Sequence, residues 1–199
     1  MNRMSRMSRR IAPVAGLLLL ASCTSAPPAP EWSGPAPEQV VAEIRAAGAF
    51  EKGELDVQPL RDPMVEDLRM QATQFESARR YPDAAAALDK AIAIAPEDPA
   101  LLQERAEIAV LQKHLDKAAA LARDAYALGG KVGPLCRRHW ATIRQQLAHR
   151  QRVLELRANG KLKGETLAQW KRDSEESAAA LVDAERKQSE CTLTGPPRY

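Results

Sequence analysis

YPDAAAALDKAIAIAPEDP, residues 81–99, gives the clearest indication of the fold of this 199-residue chain. Alanines recur along it, Leu88 and Ala91 lie three residues apart, and Pro96 stands near its end. Alanines let two helices approach closely, and apolar residues three or four apart give a helix one buried stripe. The stretch therefore predicts a helix that packs tightly against a neighbouring helix.

The same pattern occurs twice in succession along the chain. Residues 65–98 align with residues 99–132, and both the small and the large apolar positions coincide. The paired positions are Ala72 with Ala106, Ala84 with Ala118, Ala91 with Ala125, Leu68 with Leu102, Tyr81 with Leu115, and Ile94 with Leu128. A repeat period of 34 residues is typical of architectures in which pairs of helices stack on one another.

This pattern resembles the tetratricopeptide repeat (TPR), a pair of antiparallel helices with small residues where they cross. The positions of the first unit that match the family are Phe75, Tyr81, Ala84, Leu88, Ala91 and Pro96. The second unit departs from the family, since Ala109 replaces an aromatic residue and Gly130 stands where a proline would match Pro96. The resemblance implies two TPR-like repeats over residues 65–132.

A third repeat is not expected, because bulky Trp140 falls where the aligned units have alanine. Residues 134–158 predict one long helix that ends at an Asn-Gly pair, and residues 165–189 predict a second. Their apolar stripes are Trp140, Ile143, Leu147 and Leu154 in the first, and Leu167, Trp170, Leu181 and Ala184 in the second. About three repeats are normally needed for a stable stack. We therefore expect a helical hairpin over residues 133–192 that caps a short all-α solenoid.

Residues 1–22 have the composition of a secretory signal. Four arginines and no acid precede an apolar run that ends in Leu-Ala-Ser-Cys, residues 20–23. A basic head, a short apolar stretch and small residues before a cleavage site distinguish such a signal from a membrane-spanning helix. The final tetrad resembles the lipobox of bacterial lipoproteins. This resemblance implies that Cys23 is the first mature residue and carries acyl chains that anchor it to a membrane.

Two segments separate this cysteine from the repeats. Residues 23–37 are rich in proline and alanine, which predicts a semi-extended tether. Residues 38–64 predict one short helix, from Glu38 to Ala47, followed by an extended connector. Residues 193–199 are expected to form a short C-terminal tail.

The residue after Cys23 and the charge of the mature chain bear on location and partners. In enteric lipoproteins an Asp at that position favours retention in the inner membrane, so Thr24 favours the outer membrane, facing the periplasm. The inner membrane and the cell surface are the alternatives. Removal of the leader changes the formal net charge from +3 to about −1, so the overall charge does not favour nucleic acid binding.

Three cysteines in an exported chain leave one without a pairing partner. With Cys23 acylated, Cys136 and Cys191 remain, and the periplasm is oxidising. Cys136 opens the first long helix of the hairpin and Cys191 follows the second. A disulfide would therefore join the base of the hairpin. Two buried free thiols are the alternative.

The sequence gives little support for catalysis or metal binding. Its three histidines, His114, His139 and His149, do not form the i, i+4 pair that zinc sites on helices use. It contains neither a Gly-rich phosphate loop nor a nucleophile elbow. We therefore expect no enzyme activity, catalytic residue, metal, cofactor or small-molecule substrate.

In TPR stacks the first helix of each pair lines a concave groove that binds peptides or helices. The resemblance implies that the partner-binding residues are Arg69, Thr73, Glu76, Gln103, Glu107 and Val110, with Arg137 and Arg144 added if the hairpin continues the stack. The asparagine and lysine clamp of chaperone-binding members is absent, so capture of a terminal carboxylate is not implied. The alternative is that these side chains only solvate a helical face.

Together these features predict a membrane-anchored periplasmic lipoprotein that acts as a TPR-type adaptor for an unidentified envelope protein. A structural role without a specific peptide ligand is one alternative. The other is binding of anionic lipid or a polyanion through residues 131–163, which hold nine basic side chains and one acid. Residues 38–67 hold eight acids and three bases, and these acids could neutralise the hairpin within the fold.

Overall fold

The computed structural model describes residues 32–51, 54, 60–158 and 162–192. In these ranges the chain is all-helical, without a strand, as the sequence predicts. The helices are α1 (Pro37–Ala47), α2 (Pro63–Ser77), α3 (Tyr81–Ile94), α4 (Pro99–Leu111), α5 (Leu115–Leu128), α6 (Pro134–Ala158) and α7 (Gly164–Glu190). The predicted helix bounds at the N-terminus and in the C-terminal hairpin agree with these within one residue.

Six of the helices form three consecutive pairs, α2 with α3, α4 with α5, and α6 with α7. The pairs stack in chain order, because α3 packs on α4 and α5 packs on α6. The long hairpin of α6 and α7 therefore covers the second pair, where the sequence predicted a cap. The result is a short solenoid-like stack.

The first two pairs repeat one turn geometry at equivalent positions of the two aligned units. Arg79 (φ 57°) and Lys113 (φ 64°) both adopt the left-handed backbone conformation. In each turn the next residue donates its backbone N–H to a carbonyl five residues earlier. These bonds are Arg80 to Phe75 and His114 to Ala109, each 2.8 Å. The period in the sequence therefore corresponds to a repeated hairpin.

Helices α2 and α4, which open the first and second pairs, each begin at an Asp-Pro pair. The Asp62 carboxylate accepts the backbone N–H of Met64 at 2.8 Å, and Asp98 accepts that of Ala100 at the same distance. The proline that follows each aspartate occupies the first helical position, where no backbone N–H is needed. These caps fix where α2 and α4 begin.

Small residues fill the contacts between the paired helices. The alanines that coincide in the alignment of the two units are buried in both: Ala72, Ala84, Ala91, Ala106, Ala118 and Ala125. Close approach of two helices requires small side chains at the crossing. The predicted stripe of α6, from Trp140 to Leu154, is also buried, whereas in α7 Ala184 is buried and Leu181 is half-buried.

A disulfide joins the two ends of the capping hairpin. Cys136 and Cys191 are bonded, with their Cα atoms 5.6 Å apart and a sequence separation of 55. The backbone N–H of Gly133 also donates to the carbonyl of Cys191 at 2.7 Å. The predicted pairing is confirmed, and with it the predicted base of the hairpin.

Several predictions concern residues outside the described ranges. These are the signal peptide, Cys23 and most of the tether, most of the connector after α1, the Asn159-Gly160 turn and the C-terminal tail. None of the helices in the described ranges combines the length and apolarity that crossing a bilayer requires.

Candidate functional site

The first helices of the three pairs, α2, α4 and α6, share one side of the stack, which we call the inner face. Helix α1 lies against this face, in contact with α4 and α6. Its apolar side chains Val40, Val41 and Ile44 are all buried there. Because α1 has 11 residues and no side-chain cap at its N-terminus, its stability comes mainly from this packing.

A buried carboxylate lies under α1. Glu107 of α4 is fully buried, and its side chain accepts hydrogen bonds from three residues. The donors are Arg45 of α1 (Nε, 2.8 Å), Arg138 of α6 (Nε, 3.0 Å) and Gln103 of α4 (Nε2, 2.9 Å). A buried charge is tolerated when it is paired and fully hydrogen-bonded, as it is here.

Arg45 connects α1 to two helices at once. Besides Glu107, its guanidinium contacts Glu76 of α2 with an Nη1–Oε1 distance of 2.9 Å. Burial lowers the pKa of Arg45, but its hydrogen bonds to the Glu76 carboxylate and the charge of Glu107 outweigh burial and raise it. Arg45 is therefore the residue through which α1 contacts the acidic side chains of the inner face.

A neutral histidine extends this network into α6. The ring Nδ1 of His139 lies 2.8 Å from the Gln103 side-chain oxygen, and Gln103 also donates to Thr142 at 3.0 Å. Burial lowers the pKa of His139 to about 3, with Arg138 and Lys131 adding to the shift. At neutral pH the ring is uncharged, so Nδ1 is assigned as the donor to Gln103. Within the described ranges Nε2 is buried and has no hydrogen-bond partner.

Arg137 of α6 holds the end of α1. Its Nε donates to the carbonyl of Ala47 at 3.0 Å and its Nη2 to that of Ala49 at 2.8 Å. Its Nη1 also pairs with Glu54 at 2.7 Å, and this hydrogen bond lowers the pKa of the Glu54 carboxyl to about 2. A cation at the last carbonyls of a helix satisfies groups that have no partner within the helix.

The chain from Trp32 to the end of α1 runs antiparallel to α6. The rings of Trp32 and His149 are 5.5 Å apart, and Arg152 donates to the carbonyl of Ser33 at 3.3 Å. Further along, Gln145 donates to Glu43 at 2.8 Å. The chain from Trp32 to the end of α1 is thus positioned mainly by α6.

This arrangement corrects part of the predicted groove. Gln103, Glu107 and Val110 are fully buried, and Arg137 is 5% exposed. The prediction that these four side chains line an open surface is wrong, because α1 packs on α4 and α6 and Arg137 binds the end of α1. This role of α1 was not predicted, although its apolar stripe of Val40, Val41 and Ile44 indicates that the helix needs a partner surface.

The other predicted residues remain accessible but are not contiguous. Arg69, Thr73 and Glu76 lie on the inner face of α2, next to α1, and Thr73 is exposed. Arg144 lines a separate cavity of about 520 Å³ near Phe50 and the end of α7. The structure therefore brings together the three residues of α2 and separates Arg144 from them.

A narrow cleft remains between α1 and α2. It has a volume of about 240 Å³ and is lined by charged side chains of both signs, among them Arg45, Arg69, Glu76, Glu104 and Arg138. Arg69 pairs with Glu104 (Nε–Oε2, 2.9 Å) and with Glu66 at 2.8 Å. A wider cleft of about 460 Å³ lies along the same seam, near Glu38 and Tyr81. Helix α1 thus fills only part of the inner face.

In the described ranges no group of three or more histidine, cysteine or acidic side chains is placed to hold a metal ion. A scan against protein-family models finds no matching family, and a search of curated proteins finds no match.

Proposed function

We propose that this chain is a membrane-anchored periplasmic lipoprotein whose helical domain is a TPR-type adaptor for another protein of the cell envelope. The observation that carries the proposal is the inner face itself, which holds a helix by apolar burial and by the Arg45 ion pairs. A surface that binds one helix in this way has the shape and the charges to recognise a helix or peptide of a partner.

The repeated hairpin geometry supports the likeness to TPR proteins. The two turns at Arg79 and Lys113 have the same backbone conformation and the same hydrogen bonds, at the spacing of the sequence repeat. The buried alanines lie at the helix crossings, as the family resemblance implies. Stacked hairpins of this kind present a continuous face that is used for binding.

The membrane anchor is proposed from the leader and the Leu-Ala-Ser-Cys tetrad. Two or three acyl chains would hold the chain firmly, since one chain gives only marginal binding. Mass spectrometry of the chain purified from envelopes tests this part. The expected N-terminal peptide begins at acylated Cys23, and Cys23→Ser should leave the leader uncleaved. An unmodified Cys23 thiol in the wild-type chain would exclude the anchor.

The adaptor role is tested by co-purification from solubilised envelopes. We expect one protein to accompany the chain at a constant ratio and to be depleted about tenfold or more by Thr73→Arg, a substitution at the open part of the inner face. Gln71→Arg places the same charge on another exposed side of α2 and serves as the matched control. If no protein is recovered at constant ratio, while deletion weakens the envelope, the structural alternative is favoured.

The contacts of α6 weaken the case for the lipid alternative. Arg137 pairs with Glu54, Arg138 pairs with Glu107, and Arg152 donates to Ser33. Arginines that are paired within the fold contribute less positive charge to a surface that could attract anionic lipid. Flotation with vesicles of defined anionic lipid content tests this alternative, using a chain that begins at residue 24 and therefore lacks both the leader and Cys23. Binding that depends strongly on salt and on anionic lipid would favour the lipid-binding alternative.

A further inference from the structure

We propose that the part of the inner face now covered by α1 is the binding site for an amphipathic helix of the partner, which enters by taking the place of α1. The proposal rests on the adaptor function and deepens it, because α1 defines the chemistry of the incoming helix. That helix would carry two adjacent β-branched apolar residues, an aliphatic residue three positions later and an arginine directly after it, as Val40, Val41, Ile44 and Arg45 do in α1.

The rest of the domain is built without α1. The three hairpins contact one another directly through α3 with α4 and α5 with α6. The disulfide lies within the last hairpin and does not involve α1. In the described ranges only the polypeptide backbone connects α1 covalently to the stack. Removal of α1 from the inner face therefore leaves these packing contacts in place.

The contacts under α1 tolerate its departure. Without Arg45, the buried Glu107 carboxylate still accepts hydrogen bonds from Arg138 and Gln103, which belong to the stack. The carboxylate therefore keeps a cation and a second donor, which a buried charge requires. The Arg45 side chain is 45% exposed, so it reaches water readily when α1 moves.

The clefts beside α1 give an incoming helix a place of first contact. They run along the seam with α2 and expose Thr73 next to Glu76. Glu76 is 24% exposed on its side chain, and its pairing with Arg45 would pass to an arginine of the partner. An incoming helix can therefore begin to bind on α2 before α1 has left α4 and α6.

Competition by α1 sets the affinity that a partner meets. A segment joined to its site by a short linker acts at an effective concentration of about millimolar. A free helix must overcome this competition, so any change that weakens α1 should strengthen binding of the free helix by a similar factor.

A labelled peptide of residues 36–50 is the probe, and the full chain purified in detergent is the receptor. We expect this peptide to bind the Val41→Asp/Ile44→Asp chain at least about tenfold more tightly than the unaltered chain. Arg45→Ala in the chain keeps the apolar contacts and should give a smaller gain. The same peptide with the Arg45→Glu change should bind the Val41→Asp/Ile44→Asp chain about tenfold more weakly, because it meets Glu76 and Glu107.

Hydrogen exchange distinguishes replacement of α1 by the peptide from binding of the peptide beside α1. With an isotopically distinguishable peptide, the amides of residues 37–47 of the chain should exchange faster when the peptide is bound. Binding without this change, or no binding by a variant whose circular dichroism and unfolding remain cooperative, overturns the proposal. If the double variant is unfolded, Arg45→Ala decides the matter by the same two measurements. Failure of the envelope co-purification, with successful exchange, would instead count against the adaptor function alone.

Discussion

Among single residues, Glu107 connects α1 to α6 through one carboxylate. Glu107→Ala removes the shared acceptor of Arg45 and Arg138, whose side chains are 45% and 25% exposed and can turn to water. We expect a loss of about 1–3 kcal/mol, since charge-assisted hydrogen bonds are lost but no fully buried charge is left unpaired. Urea unfolding followed by circular dichroism measures it. Glu97→Ala, at an exposed position, is the control and should change stability by less than about 0.5 kcal/mol.

His139 should give stability a pH dependence of definite sign. Its pKa is about 3 in the fold and about 6.5 when unfolded, so the unfolded chain binds more protons between these values. Its contribution is complete above about pH 6.5 and is lost as pH falls towards 3, by at most about 1.4 kcal/mol per pH unit. Glu54, with a pKa of about 2, adds a loss in the same direction at lower pH.

The range between pH 6.5 and 5 isolates the histidine contribution. We expect His139→Asn to have a flatter stability profile there than the unaltered chain, whatever its absolute stability. His149→Asn is the comparison, since burial lowers the pKa of His149 as well. Equal slopes for the unaltered chain and His139→Asn would contradict a buried neutral ring.

Gly48 shows why one small residue must follow α1. A Cβ atom there would overlap Cγ of Arg138 and lie 3.1 Å from the carbonyl oxygen of Pro134. We expect Gly48→Ala to destabilise the domain by about 1–3 kcal/mol, the usual cost of inserting atoms into a packed site. Gly130→Ala, where the nearest atom is 3.8 Å away, should be nearly neutral. Thermal unfolding of the two variants makes the comparison.

At the scale of helices, the disulfide and the capping hairpin depend on each other. The bond between Cys136 and Cys191 closes a loop of 55 residues at the point where α6 begins and α7 ends. On the chain-entropy model, Cys136→Ser/Cys191→Ser should lower the free energy of unfolding by about 4 kcal/mol. Urea midpoints of the oxidised chain and of this variant test the expectation. Equal midpoints would mean that the bond adds nothing to stability.

The helices themselves could be predicted from the sequence, because their signals are local. Asp62 and Asp98 precede prolines, the apolar stripe of α6 keeps helical spacing, and alanines recur in α3 and α5. Each signal lies within the element that it predicts. The repeat period could also be predicted from the sequence, and the equivalent turns at Arg79 and Lys113 have the same left-handed backbone conformation.

The position of α1 could not be predicted in this way. Its stripe of Val40, Val41 and Ile44 shows that it needs a partner surface, but the stripe does not specify which helices provide that surface. The choice of α4 and α6 depends on contacts across long separations, such as Arg45 with Glu107 and Arg137 with Ala47. Neither contact has a spacing that a sequence pattern would reveal.

For the whole molecule, these long-range contacts decide which surface is free. Arg69, Thr73 and Glu76 remain at an open seam, whereas Gln103 and Glu107 lie beneath α1. The same contacts bind several arginines of α6 within the fold. Both the groove and the basic segment are therefore smaller as free surfaces than the sequence suggested.

The all-helical class, the bounds of α1, α6 and α7 and the pairing of Cys136 with Cys191 could be predicted from the sequence alone. Helix signals lie in neighbouring residues, and the prediction that Cys23 is acylated leaves only Cys136 and Cys191 to pair with each other. The packing of α1 on the inner face and the burial of Glu107 beneath it became visible only in the folded chain. That outcome is set by burial and charge pairing summed over residues far apart in the chain, and local patterns do not contain this sum.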